Sequence, residues 1–323
     1  MIEESNKQDK LNSEQASYDL VAIGAGPAAL TAAIYAGREE ISTLLVEKGI
    51  AGGMTATTDW IDNYPGYADG IGGTQLAEEM RRQAERFGAK LKFDEVLELT
   101  KRDKGFSLKL ARGGEVKSKA VLIAVGSNYK RLVVPGEDEY YARGVHYCVT
   151  CDGAFYKDRR VVIVGGGNTA IQGAISLAKI ATSVDVIVRS KIRASEVLQR
   201  KLAKLSDRVT IHYGHTVDSI DTADNKVVGI NLLDANQEPK QISADGVFVL
   251  IGLTPNTQFL SESGVRLDSE GFVLADSSLE TNVPGLFVAG DARSGAPMQV
   301  GAATGDGVLA ALSIRDYLGE LDD

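Results

Sequence analysis

Apolar runs and glycine-rich turns alternate along the chain from Tyr18 onward. An apolar run at residues 20–23 leads into GAGPAA, then into the helix-like segment LTAAIYAGRE, and then into a second run at residues 44–46 that ends at Glu47. This order predicts a strand, a tight turn, a helix and a parallel second strand, which together form the opening unit of a doubly wound α/β sheet.

The same order appears a second time further along the chain. Residues 161–164 form an apolar run that leads into GGGNTA, into the helical segment IQGAISLAKI and into a further apolar run at residues 184–188. The two glycine-rich turns are 141 residues apart, with Gly165 matching Gly24. A repeat of this size predicts two domains of one architecture.

Two apolar runs, at residues 121–126 and 246–252, end in glycine and lead toward proline, so we interpret both as crossovers between the domains. The predicted fold class is α/β, with two Rossmann-like three-layer nucleotide-binding domains, the second inserted into the first. Residues 18–126 and 253–323 are expected to form the discontinuous first domain. Residues 127–252 are expected to form the inserted second domain.

Composition narrows the functions that such a fold can carry. The 323 residues are 44% hydrophobic and 24% charged, with a formal net charge of −9, which is typical of a soluble globular protein and argues against nucleic acid as a partner. No stretch approaches the roughly 18 apolar residues of a membrane helix, so no membrane partner is expected. Residues 1–17 are polar and lack the apolar core of a signal peptide, so we predict a disordered tail and a cytoplasmic protein.

Each glycine-rich turn has the form Gly-x-Gly-x-x-Ala, which places a physical demand on three positions. The first glycine forms the tight turn, the second lets the backbone approach a pyrophosphate, and the small third residue lets helix and strand pack closely. The helix that follows presents N–H groups to the phosphates. The positions are Gly24, Gly26 and Ala29 in the first copy and Gly165, Gly167 and Ala170 in the second.

The two copies differ at the residue where the second strand ends. Glu47 is placed to hold ribose hydroxyls, whereas the matching residue of the second copy is Val188, followed by Arg189, Lys191 and Arg193. A missing carboxylate with basic neighbours suits a 2′-phosphate, so the first site is predicted to bind FAD and the second NADPH. Two simpler interpretations stay open, a solvated acid at Glu47 and a solvated loop for the basic residues.

Cys148 and Cys151 are the only cysteines, and they lie shortly before the second glycine-rich turn. Zinc normally requires four ligands and only His146 is near, so no metal site is expected. Two thiols at this spacing are typical of a redox-active dithiol, and a helix beginning at Cys151 is expected to favour a thiolate. Asp152 is predicted to handle the proton of thiol–disulfide exchange, with a helix cap as the alternative.

These motifs together resemble the low-molecular-weight thioredoxin reductases of the FAD-containing pyridine nucleotide-disulfide oxidoreductase family. The resemblance covers nearly the whole chain from Tyr18 and rests on GAGPAALTAAIYAGR, the glycine pair at 52–53, DNYPG, CVTCDGAFY, VVIVGGGNTA, TPNT and FVAGDAR. It implies a homodimer in which electrons pass from a nicotinamide nucleotide to FAD, to the dithiol and then to thioredoxin. It also implies that Cys151 faces the flavin, that Cys148 attacks the partner disulfide and that Asp152 is the acid–base group.

The fingerprints and the resemblance together predict which residues contact each nucleotide. The FAD contacts are expected at Gly24, Gly26, Pro27, Ala28, Glu47, Lys48, Gly53, Asn63, Val96, Ala124, Gly126, Gly290, Asp291, Gln299 and Val300. The NADPH contacts are expected at Gly165, Gly167, Asn168, Thr169, Arg189 and Arg193.

Two segments depart from the pattern of that family. Its phosphate-binding stretch, His-Arg-Arg followed three residues later by Arg, appears here as VRS at 188–190 with Arg193 one residue early. In addition, Met298 replaces the arginine that precedes Gln299. Because the first departure removes positive charge from the nucleotide site, NADH and reduced ferredoxin stay open as electron donors beside NADPH.

Two other functions are compatible with the same motifs. A dithiol oxidase of similar fold would oxidise a small-molecule dithiol with oxygen, and a flavin-binding redox sensor would turn over no disulfide protein. The complete CVTCDG segment and the intact second fingerprint favour the reductase over both alternatives.

Overall fold

Residues 17–322 are described by the computed structural model, and they alternate between strands and helices as the apolar pattern predicts. The strands are β1 (Ser17–Ile23), β2 (Thr43–Glu47), β3 (Lys90–Phe93), β4 (Val96–Lys101), β5 (Phe106–Leu110), β6 (Glu115–Ile123), β7 (Ser127–Tyr129), β8 (Val145–His146), β9 (Arg160–Val164), β10 (Ser183–Val188), β11 (Val209–Tyr213), β12 (Thr216–Ala223), β13 (Lys226–Leu233), β14 (Pro239–Ser243), β15 (Gly246–Val249), β16 (Leu253–Pro255) and β17 (Leu286–Val288). The helices are α1 (Pro27–Arg38), α2 (Gly73–Arg86), α3 (Val149–Asp152), α4 (Asn168–Leu177), α5 (Glu196–Ala203) and α6 (Val300–Asp322). Short 3₁₀ turns lie at Gly53–Thr57, Gly153–Tyr156, Gln258–Leu260 and Gly290–Ala292.

The chain forms two units and passes from one to the other at two points. The first unit contains the described residues up to Asn128 and from Thr254 onward, and the second runs from Tyr129 to Leu253. The predicted tail lies outside the described residues except for Ser17. That prediction is wrong at Ser17, because this residue already belongs to β1 and pairs with Lys117 of β6.

The first unit is built on one mixed sheet with strand order β3-β2-β1-β6-β5-β4, and β17 also pairs with β6. Strand β1 runs parallel to β2 and β6, whereas β4 and β5 are antiparallel. Leu20 and Ala22 face a core shared with α1, α2 and α6, because alternate side chains of a strand point to the same face. Val21 and Ile23 face a second core that is shared with β4 and β5.

The second unit repeats this construction with fewer residues. Its sheet has the order β11-β10-β9-β15-β8 with parallel pairing throughout, and β12, β13 and β14 form a separate antiparallel sheet. Val161 and Ile163 of β9 pack toward α4, and Val162 and Val164 pack toward the antiparallel sheet. The predicted fold class, two three-layer Rossmann-like domains with the second inserted into the first, is confirmed.

The two crossings of the chain pair with each other as a short ribbon. Strands β7 and β16 form a two-stranded sheet, and the N–H of Asn256 donates to the carbonyl of Gly126 at 3.1 Å. At the other end of the ribbon, the N–H of Lys130 donates to the carbonyl of Gly252 at 3.0 Å. Along residues 17–322, none of the helices combines the length and the apolar character needed to cross a membrane.

Candidate functional site

The first glycine-rich turn joins β1 to α1 and brings two backbone segments into contact. Gly24 has a φ of +105°, which side-chain-bearing residues rarely adopt, and a Cβ there would lie 2.4 Å from the carbonyl oxygen of Ala124. Gly26 precedes α1 with extended backbone, and a Cβ there would meet no described atom within 4 Å. Pro27 and Ala28 then form the first turn of the helix. Open space therefore lies at a helix N-terminus, where phosphate binds favourably.

Glu47 ends β2 beside this turn and already has two backbone partners. Its Oε2 accepts the N–H of Ala25 at 2.8 Å, and its Oε1 accepts the N–H of Gly49 at 2.7 Å. Because a carboxylate offers about four acceptor positions, two remain for ribose hydroxyls. Glu47 thus holds the turn in place and keeps the capacity for the predicted nucleotide contact.

Two glycines bring further parts of the first unit against the same turn. A Cβ on Gly53 would lie 3.6 Å from the Cα of Gly26, and a Cβ on Gly290 would lie 3.1 Å from the Cβ of Ala28. The approach at Gly290 sets the following 3₁₀ turn beside the N-terminus of α1. Four predicted FAD residues, distant in sequence, are therefore neighbours.

Asn63 and Gln299 are also brought together, although 236 positions separate them in the chain. The Nδ2 of Asn63 donates to the Oε1 of Gln299 at 3.1 Å. Val300 follows as the first residue of α6. Met298 occupies the family's arginine position with a φ of +56° and accepts a hydrogen bond from the Ser127 hydroxyl at 3.8 Å; nothing in the structure explains this substitution.

Asp291 is a half-buried carboxylate in the 3₁₀ turn after Gly290. Burial, and after it the nearby charge of Asp306, raises the pKa of Asp291 to about 6. Asp306 is bound by the Nε of Arg293 at 3.0 Å and by the N–H of Gly290 at 3.1 Å. No described residue donates a hydrogen bond to the Asp291 side chain. This unsatisfied acceptor and the open space at Gly26 fit the hydroxyl groups and the phosphates of FAD.

Three predicted FAD residues are placed differently from those above. The Val96 side chain is buried in the second core of the first unit, so it offers a ligand only its backbone. Lys48 is exposed, with its Nζ 3.8 Å from a carboxylate oxygen of Glu95. Gly126 lies directly before the ribbon that joins the units.

The second glycine-rich turn, between β9 and α4, has the same geometry as the first. Gly165 has a φ of +145°, and a Cβ there would lie 2.3 Å from the carbonyl oxygen of Leu250. Gly167 precedes α4 with φ −86° and ψ 179°, close to the −77° and −179° of Gly26. A Cβ on Gly167 would again meet no described atom within 4 Å. Both turns therefore leave space at a helix N-terminus.

The two copies differ at the residue that faces the middle of the turn. The Glu47 carboxylate bonds the N–H of Ala25, whereas the Val188 methyl group Cγ1 lies 3.1 Å from the position of a Cβ on Gly166. These residues match at the spacing of the repeat, so an apolar side chain occupies the place of the ribose-binding acid. The second site consequently lacks the acceptor that favours an unphosphorylated ribose.

A loop after β10 passes over this second turn. The N–H of Arg193 donates to the carbonyl of Gly166 at 2.7 Å, and the Oδ1 of Asn168 accepts the N–H of Ser195 at 2.8 Å. The exposed side chains of Arg189, Lys191 and Arg193 form no ion pair with any residue in the described range. Thr169 is exposed in the first turn of α4. Unpaired cations beside a helix N-terminus can attract a phosphate.

The two cysteines form a disulfide at the short helix α3. Cys148 is half-buried and caps the helix, whereas Cys151 is exposed. The N–H of Cys151 donates to the Sγ of Cys148 at 3.1 Å. The prediction that the helix begins at Cys151 is wrong, since its N-terminus lies at Cys148. A hydrogen bond donated to the sulfur favours the thiolate form of Cys148.

Asp152 directs its side chain away from the helix end and toward His146. Its Oδ2 lies 3.3 Å from the Nδ1 of His146, and the Nε2 of the same ring lies 2.7 Å from the hydroxyl of Tyr156. The Asp152 side chain makes no capping hydrogen bond to the turn that follows, so the alternative of a helix cap is wrong. From the sequence, His146 was a candidate zinc ligand only, and its contact with Asp152 was not predicted. Its position two residues before Cys148 was the available signal.

Comparison with known proteins agrees with this arrangement. Residues 18–307 match the family described as pyridine nucleotide-disulphide oxidoreductase. The thioredoxin reductase of Bacillus subtilis (strain 168) is 39% identical over 315 residues, which cover 96% of this chain and 98% of that protein.

Solved structures give the same result. Thioredoxin reductase from Streptococcus pyogenes MGAS5005 shares 35% identity with a TM-score of 0.88, over 95% of this chain and 100% of that one. Thioredoxin reductase from Giardia duodenalis shares 31% identity with a TM-score of 0.89, over 94% and 100%. The family resemblance inferred from the motifs is confirmed. The chain belongs to the pyridine nucleotide-disulphide oxidoreductases and, within them, to the thioredoxin reductases, a family that binds FAD and depends on NADPH.

Proposed function

We propose that this chain reduces the disulfide of thioredoxin, with electrons from NADPH passing through FAD on the first unit and the Cys148–Cys151 pair on the second. The observation that carries the proposal is the placement of this disulfide on α3, in a unit that repeats the nucleotide-binding turn of the first. The names of the relatives support thioredoxin as the substrate.

The first unit is proposed to hold FAD through groups that its turns leave available. The backbone at Gly26 would bind the pyrophosphate, Glu47 the ribose, and Asp291 a hydroxyl of the cofactor. Asn63 and Gln299, already bonded to each other, would line the same site. FAD would supply the electron pair that reduces the disulfide.

The family resemblance, together with the hydrogen bond at Cys148, supports a division of labour between the two sulfurs. Cys151, the exposed sulfur, is proposed to receive electrons from the flavin side. Cys148 would then carry negative charge, which the N–H of Cys151 stabilises at 3.1 Å. This thiolate would attack the disulfide of thioredoxin, and Asp152 would manage the protons of the exchange.

NADPH is proposed as the electron donor, with NADH or reduced ferredoxin as the alternatives. Val188 occupies the place of the ribose-binding acid, and the exposed Arg189 and Arg193 form no ion pair within residues 17–322. Both features support a nucleotide that carries a 2′-phosphate. A homodimer and a cytoplasmic location are part of the same proposal.

The experiment that tests the donor compares flavin reduction in rapid-mixing measurements with NADPH, NADH and reduced ferredoxin. We expect NADPH to reduce the flavin fastest and to sustain reduction of oxidised thioredoxin. Reduction by ferredoxin alone would overturn the donor assignment and leave the dithiol chemistry intact. Oxygen consumption with a small-molecule dithiol, without turnover of thioredoxin, would identify a dithiol oxidase instead.

Single cysteine variants test the order of the sulfurs. Cys151→Ser should trap a mixed disulfide with thioredoxin through Cys148, because no second thiol remains to release the partner. Cys148→Ser should trap no such complex and should show a long-wavelength absorbance band from a Cys151 thiolate beside oxidised flavin. Reversed behaviour would exchange the two roles.

A further inference from the structure

Three side chains follow one another from a buried tyrosine to the dithiol, joined by one hydrogen bond and one carboxylate–imidazole contact. Asp152, which follows Cys151 directly, lies 3.3 Å from the Nδ1 of His146, and the Nε2 of His146 lies 2.7 Å from the hydroxyl of Tyr156. His146 and Tyr156 are 7% and 8% exposed, whereas the Asp152 side chain is 31% exposed. This series of side chains therefore connects a buried ring to the surface where the disulfide lies.

Packing fixes the orientation of the His146 ring. His146 of β8 pairs with Phe248 of β15, and the two rings stack with centroids 5.3 Å apart. The Tyr156 ring meets both edge to face, at 5.3 Å and 5.2 Å. Gly246 makes room for it, since a Cβ there would come within 2.1 Å of the tyrosine ring. The imidazole consequently has little freedom to turn away from Asp152.

The chemistry of the three groups limits the direction of proton donation. An ionised carboxylate only accepts, so the tautomer that complements Asp152 carries its proton on Nδ1, 3.3 Å from the carboxylate. Nε2 must then accept the proton of the Tyr156 hydroxyl. Burial, followed by the charges of Asp152 and Asp245, raises the pKa of Tyr156, so this hydroxyl keeps its proton at neutral pH. The order is thus Tyr156 to His146 to Asp152.

We propose that His146, held by Tyr156, is a positioning residue that fixes the Asp152 carboxylate and stores a proton for it during thiol–disulfide exchange. This inference rests on the proposed function and assigns a role to a residue beyond the dithiol and its acid–base group. An imidazole ring can carry a proton on one or both of its nitrogens, so the ring can take up a proton that reaches the carboxylate.

The proton has a defined place in the exchange. The Cys148 thiolate forms a bond to one sulfur of thioredoxin while the thioredoxin disulfide breaks, and the other thioredoxin sulfur leaves as a thiolate that takes up a proton from water. Cys151 then gives its proton to the Asp152–His146 pair and attacks the Sγ of Cys148. This step reforms the internal disulfide and releases the remaining thioredoxin sulfur as a thiolate, which takes the stored proton from the pair. Two electrons pass from dithiol to disulfide, and no other oxidant or reductant takes part.

Three titratable side chains of the described residues bear on the His146 ring. Asp152 and Tyr156 contact the ring directly, and Asp245 lies beyond Tyr156, where it acts on the hydroxyl through its charge. Asp245 is in turn bound by Arg160, through its N–H at 2.9 Å and its Nη2 at 3.4 Å. A pH dependence of the exchange rate can therefore be assigned to His146 only after comparison with the pH profiles of Asp152 and Tyr156 variants.

The test measures the rate at which reduced holoenzyme reduces oxidised thioredoxin in a single turnover, from pH 5 to 9. His146→Gln should slow this step about tenfold at neutral pH, as loss of a polar contact with a charged group implies. The ratio of wild-type to variant rates should change with pH across this range, whereas a purely structural loss would give one factor at every pH. Tyr156→Phe keeps the aromatic ring and should reproduce part of the loss of rate. This variant keeps the test valid if His146→Gln does not fold.

A double variant and a matched control complete the test. Asp152→Asn should slow the exchange about a hundredfold, and adding His146→Gln should slow it no further, because His146 acts through Asp152. His212→Gln is the control, since His212 forms a similar pair with Asp185 at 2.7 Å elsewhere in the second unit. We expect wild-type rates for it at every pH.

Three results would overturn the inference: an unchanged rate in His146→Gln, a loss independent of pH, or full multiplication of the losses in the double variant. Flavin reduction by NADPH should stay at the wild-type rate in every variant. Failure of the wild-type chain to reduce thioredoxin at all would instead remove the proposed function, and this inference with it.

Discussion

Gly24 and Gly26 lie two residues apart in one turn, and only the second has room for a side chain. A Cβ at Gly26 would meet no described atom within 4 Å, so we expect Gly26→Val to fold normally while filling the space of the pyrophosphate. We expect apoprotein of ordinary stability with little bound flavin, measured as visible absorbance per chain. Full flavin content in Gly26→Val would contradict the site.

Two matched variants control for general damage. Gly24→Val forces a side chain to within 2.4 Å of the Ala124 carbonyl at a φ of +105°, so it should lower stability itself, by at least about 1–3 kcal/mol. Gly167→Val repeats the open geometry in the second unit and should keep its flavin while losing affinity for the pyridine nucleotide.

Asp291 links cofactor binding to stability through its charge. Its pKa is raised from 3.8 to about 6, so the native apoprotein binds more protons than the unfolded chain between these values. The free energy of unfolding should therefore fall as pH rises through this window, by on the order of 2–3 kcal/mol. Asp291→Asn should remove this fall, which urea unfolding of apoprotein at several pH values can measure.

The same variant should behave oppositely in the presence of FAD. An amide cannot replace an ionised acceptor of a hydroxyl proton with equal strength, so Asp291→Asn should bind FAD more weakly than wild type. Apoprotein stabilised near pH 7 but defective in flavin retention is the expected pair of results. A wild-type pH profile in the variant would show that another group is responsible.

At the scale of elements, we expect the loop after β10 to decide which nucleotide donates electrons. The loop carries Arg189 to the second turn, and a charge-assisted bond to a 2′-phosphate is worth about 1.5–3 kcal/mol. Arg189→Ala should therefore weaken NADPH use roughly ten- to a hundredfold and leave NADH use nearly unchanged. Michaelis constants for both nucleotides provide the measurement. Lys204→Ala, an exposed cation at the end of α5, should change neither.

The elements predicted correctly from the sequence are those whose backbone conformation depends on neighbouring residues alone. Each glycine-rich turn fixes its own backbone, so Gly24 and Gly165 indicated where strand ends and helix begins. The start of α3 was misplaced because a helix of four residues has no periodicity to read, and its cap depends on the Sγ of Cys148. The role of His146 was missed because its contacts with Asp152 and Tyr156 follow no sequence period, and its ring is oriented by Phe248 of β15, which only the pairing of β8 brings near.

At the scale of the whole molecule, one helix separates two groups that must both exchange electrons with FAD. The dithiol helix α3 packs against the middle of α4, where a Cβ on Gly173 would lie 3.0 Å from Val149. The nucleotide turn lies at the N-terminus of α4, six residues and therefore about 9 Å along the helix from Gly173. We expect that a single flavin on the first unit does not contact both at once. The second unit is therefore expected to alternate between two orientations, with the ribbon of β7 and β16 as the hinge.

Crosslinking tests this alternation directly. A short, non-reducible lysine-reactive reagent that joins the two units should stop turnover with thioredoxin, because one of the two partners of FAD is then held out of reach. Each locked species should keep one half-reaction, either flavin reduction by the nucleotide or electron transfer from flavin to the dithiol, and the two are separable by rapid mixing. The same reagent with a single reactive group, which modifies lysines without joining the units, should leave turnover intact. Full turnover in the locked enzyme would mean that FAD reaches the nucleotide and the dithiol in one arrangement, and the ribbon would then have no role as a hinge.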